Sequence, residues 1–111
     1  MLEDIKHPGS WPWVVVISGS TRFHKEMHEA ALQETLKGRI VLVVGSNDKS
    51  DDELGITDEQ KLNLEALHRH KIDLADELLV VNVNDYIGDS TSREIAYARS
   101  LALPIRFTEG A

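Results

Sequence analysis

The chain has 111 residues, enough for one domain around a single apolar core. Hydrophobic residues make up 41% and charged residues 28%, and 12 Lys+Arg stand against 19 Asp+Glu for a net charge of -7. That balance argues against a polymeric nucleic acid, whose phosphates need clustered cations, though backbone N–H groups can still hold one small phosphate. No cysteine is present, which excludes disulfides, zinc-thiolate sites and thiol nucleophiles. Apolar runs such as Val14 to Ile17 are far shorter than the ~20 residues of a membrane span. Met1 to Ser10 carries no signal-peptide core, so a cytoplasmic protein without a membrane partner is expected.

Trp13 to Ser18 is a short β-branched run closed by Gly19, and it reads as a strand buried on both faces. Arg22 to Lys37 repeats apolar residues at helical spacing through Phe23, Met27, Ala30 and Ala31, with Leu32 and Leu36 as further candidates and Gly38 as the stop. Arg39 to Gly45 is a second buried strand. Ser46 to Ile56 is a polar loop of the length that lids adopt. Thr57 and Gln60 have capping-box spacing, so a helix follows, with Leu62, Leu64, Ala66 and Leu67 inward and its end near Ala75. Glu77 to Val83 is the third strand and Asn84 to Ser90 a loop. Ser92 to Leu101 is a helix with Ile95, Ala98 and Leu101 or Ala102 inward, and Pro104 to Phe107 is a last strand.

Alternation of this kind predicts an α/β fold: a flavodoxin-like open parallel sheet of four or five strands in the order 2-1-3-4, with helices on both faces. One domain accounts for residues 1–111. The crevice of such a sheet opens where the strand order reverses, outside the carboxyl ends of strands 1 and 3. Two loops meet there. One is Ser18, Gly19, Ser20, Thr21 and Arg22; the other runs from Asn82 through Gly88 and Ser90 to Ser92. Each leads into a helix whose free N–H groups favour an anion. Taken singly, these residues are ordinary caps and turn formers. Neither loop matches a P-loop or a dinucleotide fingerprint.

Glu94 opens the third helix beside that crevice. A carboxylate there can attack an anomeric carbon, and it can equally be a first-turn acid that complements the helix dipole. Asp73 and Asp76 close the second helix and read as solvated surface. His24 and His28 share a helical face, but no third ligand completes a metal pattern, so neither a metal nor a cofactor is expected. His68 and His70 fall on different sides of their helix. Arg22 can pair with a phosphate or remain a plain surface cation.

Three segments carry a family resemblance: Ile17 to Arg22, Ala75 to Asn82, and Gly88 to Ala98. In order and spacing they resemble the nucleoside 2-deoxyribosyltransferase-like superfamily, which includes the 2'-deoxynucleoside 5'-phosphate N-hydrolases. The resemblance implies a flavodoxin-like sheet and cleavage or exchange of a base–sugar bond. It makes Glu94 the nucleophile, places Gly19 and Ser20 on sugar or phosphate, and places Gly88, Ser90 and Ser92 on phosphate. It also implies a small nucleoside or nucleotide as ligand and a homodimer or larger homo-oligomer. The chain departs from the pattern where Ala96 replaces a glycine, where Val16 replaces an aromatic residue, and where His68 occupies the position of an upstream acid. Asp73 replaces that acid only with a local shift. The leading expectation is therefore an N-glycosidase or deoxyribosyltransferase. A non-catalytic nucleotide sensor on the same fold is the alternative. A receiver-like phosphoacceptor lacks its acidic cluster after strand 1.

Overall fold

A computed structural model describes residues 12–44 and 55–109. The strands are β1 (Val14–Gly19), β2 (Ile40–Val44), β3 (Glu77–Val81) and β4 (Ile105–Phe107). The helices are α1 (His24–Leu36), α2 (Asp58–Leu74) and α3 (Asp89–Ser100), and single 3-10 turns cover Thr21–Phe23 and Val83–Asp85. All strand pairs are parallel and the order is β2-β1-β3-β4. The expected α/β architecture and strand order are therefore present.

Strand alternation sorts the core into two halves. Val14 and Val16, with Leu78 and Val80, pack against Ile72 and Ala75 and against Ile95 and Ala98 of α3. Val15 and Ile17, with Leu79 and Val81, pack against Met27, Phe23, Ala30 and Ala31 on the α1 side. Helices thus cover both faces. Val15, Val16 and Ile17 are fully buried, each stabilising the fold by roughly 1.5–3 kcal/mol. Even-numbered residues of β1 face α2 and α3, and this parity points Ser18 to that side.

Several boundaries differ from expectation. The first helix begins at His24, because Thr21–Phe23 winds as a 3-10 turn capped by Ser20. Strand β3 ends at Val81, not Val83, and α3 begins at Asp89, not Ser92. Gly88 takes the N-cap position there, and Thr91, read as loop, is a buried helical residue. Leu32, Leu36, Leu62, Leu67 and Leu101 are exposed rather than inward. In α2 the residue that reaches the core is Ile72, near the helix end that lies beside the sheet. The capping box of Thr57 and Gln60 is formed in both directions. Most of the loop at 46–56 lies outside the described residues.

A charged cluster closes the amino end of the sheet. Glu34 of α1 is 3% exposed and accepts hydrogen bonds from Arg39 and Arg106, while Arg106 also donates to Glu77. Burial pushes the Glu34 carboxyl up, but the bonds from Arg106 and Arg39 and the Arg106 charge outweigh it and hold the pKa at about 2. Arg106 likewise holds Glu77 below the usual carboxylate range. Asp76 is not simple solvated surface: its Oδ2 accepts from the Val14 N–H at 2.8 Å, and its own N–H donates to the Val14 carbonyl at 2.7 Å. It joins the start of β3 to the start of β1.

Candidate functional site

Successive crossovers run in opposite directions about β1: α1 covers one face from β1 to β2, and α2 covers the other from β2 past β1 to β3. The carboxyl end of β1 is therefore the switch point where ligands bind in sheets of this kind. Ser18 sits there, fully buried, and its Oγ donates to Oε1 of Glu94. Glu94 lies in the second turn of α3, 12% exposed at its side chain. Its other oxygen, Oε2, stands 3.5 Å from Nδ1 of His68 on α2. Three elements distant in sequence thus bring a hydroxyl, a carboxylate and an imidazole to one point beside the Gly19 turn.

A second link ties α2 to α3. The Tyr97 hydroxyl, one helical turn beyond Glu94, donates to Asp73 Oδ1 at 2.6 Å. That bond, with the Asp73 charge, raises the Tyr97 pKa. Asp73 also faces His70 at 3.6 Å. The structure therefore sets His68, and not Asp73, against Glu94. The pairing of Tyr97 with α2 follows from its i+3 spacing to Glu94 on one helical face.

The two loops of the crevice meet through aromatic contacts. The Arg22 guanidinium lies 4.0 Å from the centre of the Tyr86 ring, a cation–π distance. Phe23 meets the same ring edge-on at 5.8 Å. Of the remaining loop residues, Thr21 and Ser92 are exposed, and Ser90 Oγ accepts from Arg93 at 3.2 Å. Ser20 Oγ accepts from the Arg22 N–H at 3.3 Å, the cap its residue type suggests. Packing favours glycine at position 19, because a Cβ there would stand 3.1 Å from the Val81 carbonyl and 3.3 Å from Met27 Sδ, closer than ordinary contact. Gly88 has the Tyr86 ring above it, 3.5 Å from the position of an added Cβ. Asn82 is buried and its side chain is bonded to Thr108 and Glu109, which turns it away from any role as an open ligand contact.

Comparison with family models, with curated proteins and with solved structures finds no match. His24 and His28 stack edge-to-face at 5.8 Å, and among the described residues no three His, Asp or Glu side chains converge as metal ligands. Among the described residues no helix is long and apolar enough to cross a membrane.

Proposed function

We propose that the chain is an N-glycosidase or deoxyribosyltransferase acting on a nucleoside or its 5'-monophosphate, with Glu94 as nucleophile. The observation that supports it is the seating of Glu94 at the switch point, one oxygen held by buried Ser18 and the other facing His68. The hydroxyl fixes the carboxylate orientation and leaves Oε2 for attack on the anomeric carbon. As the glycosidic bond breaks, its electron pair leaves with the base, and a glycosyl ester forms on Glu94. The imidazolium of His68 supplies the proton to the departing base. Neutral His68 then takes a proton from the water, or from the ring N–H of an acceptor nucleobase, that displaces the sugar from Glu94. Arg22 and the adjoining helix starts hold the 5'-phosphate. A homo-oligomer, implied by the same resemblance, belongs to this proposal and is tested by light scattering of the purified chain.

Free base released from a panel of nucleosides and monophosphates is the decisive measurement. Glu94→Gln keeps an oxygen that Ser18 can bond but removes the nucleophile, so it folds and releases no base. Equal release by Glu94→Gln and the native chain rejects the mechanism. The second reading is a nucleotide sensor without turnover. It is favoured by the imidazole of His68 standing where the resemblance calls for an upstream acid. It predicts a raised thermal midpoint with monophosphates and no product.

A further inference from the structure

Thr108 and Glu109 follow β4 and fold back onto the crevice rim. The Thr108 N–H donates to the Val80 carbonyl at 2.9 Å, continuing the pairing of β4 with β3. Asn82 then joins the two segments: its Nδ2 donates to the Glu109 carbonyl at 2.6 Å, and its Oδ1 accepts from the Glu109 N–H at 2.9 Å and from Thr108 Oγ at 3.2 Å. One further bond reaches the rim. Glu109 Oε1 accepts from the Asn84 N–H at 2.9 Å.

Asn84 and the next residue, Asp85, both have left-handed backbone, at φ 54 and φ 63. Asn and Asp enter that conformation more readily than other non-glycine residues, and here the turn bonds from Asp85 N–H to the Asn82 carbonyl and from Tyr86 N–H to the Val83 carbonyl hold it together with Glu109. Tyr86 comes immediately after and carries the contacts to Arg22 and Phe23 that join the two loops. Gly88, beneath the Tyr86 ring, begins the helix that carries Glu94.

We propose that Glu109 is a positioning residue for the crevice: by holding the Asn84 N–H it fixes the left-handed pair and so seats Tyr86 against Arg22. The inference rests on reading the crevice as the ligand site, and it concerns the rim rather than the bond-breaking groups. A negatively charged acceptor makes the stronger kind of hydrogen bond to an N–H, and a neutral amide oxygen in the same place makes a weaker one.

The test compares the full chain with Glu109→Ala and Glu109→Gln. Proton NMR of the Tyr86 ring, through its nuclear Overhauser contacts to Arg22 and Phe23, reads the seat directly. Steady-state kinetics of base release from deoxynucleoside monophosphates reads its consequence. In Glu109→Ala the ring contacts weaken and KM rises about tenfold with kcat retained, the size expected for one lost charge-assisted bond. Glu109→Gln keeps most of the ring contacts. A Tyr86 environment identical in the native chain and Glu109→Ala overturns the proposal. So does displacement of the ring with no change in KM, or a Gln variant as displaced as the Ala variant. A lowered thermal midpoint with unchanged Tyr86 contacts means a merely structural tie and also overturns it. If the native chain releases no base, the catalytic reading fails by itself, and NMR titration with a deoxynucleoside monophosphate replaces kinetics, with the same shift expected in Kd.

Discussion

Ser18 has no exposed surface, yet it carries a hydroxyl at the end of a strand otherwise built of valine and isoleucine. A buried hydroxyl costs stability unless it is hydrogen-bonded, and the bond it makes is to Glu94. Ser18→Ala is therefore expected to lower stability by about 1.5–3 kcal/mol, the range for a bond to a charged group. Denaturant titration measures that loss. The same variant frees the carboxylate to rotate, so base release should fall by tenfold or more, with most of the loss in kcat. His68→Asn keeps a polar side chain but cannot exchange the proton, and about a hundredfold loss in kcat is expected. A variant as active as the native chain would remove His68 from the reaction. Position at the switch point makes Glu94 and the Gly19 turn legible, but it reads Ser18 as a ligand contact, whereas strand parity buries it and turns its hydroxyl to Glu94. His68 was legible only as a mismatch to an expected acid. Its approach to Glu94 depends on where along α3 the second helix packs, which no local pattern specifies.

At the scale of elements, the strands and their order follow from short β-branched runs separated by helical spacing, and both appear as expected. Boundaries were less legible where two local rules compete. Ser90, Thr91 and Ser92 have weak helix propensity and favour caps, which suggested a later start for α3. Thr91 is nonetheless buried against the core, and that packing extends the helix back to Asp89. Leu62 and Leu67 misled in the opposite way. They satisfy an inward stripe, but only the far end of α2 meets the sheet, at Ile72. The near end depends on its own cap, so Thr57→Ala should cost about 1 kcal/mol. For a chain of this size that is a fall of about 4–8 °C in Tm, checked by calorimetry. Hydrogen exchange should show the added opening in the first turns of α2.

At the scale of the whole molecule, the Glu34 cluster connects α1 to β3 and β4 through Arg106. Because the carboxyl pKa lies near 2 in the folded chain and near 4.5 when unfolded, this group stabilises the fold above pH 4.5. The contribution, about 3 kcal/mol, fades as pH falls from 4.5 toward 2. Stability measured across that window should decline with Glu34 intact and decline less in Glu34→Gln. Arg106→Leu removes the partner that Glu34 and Glu77 share, but Glu34 keeps Arg39 and Lys37, so a cost of about 1.5–3 kcal/mol is expected. Trp13, at this same end, donates its indole N–H to Glu77, whereas Tyr86 stands at the crevice rim against Arg22. In a Trp11→Phe background, indole emission excited on the red edge thus follows Trp13 and the integrity of the basal cluster. With Tyr97→Phe added, phenol absorption follows Tyr86 at the opposite pole, so one cuvette can separate occupancy from unfolding without an attached label.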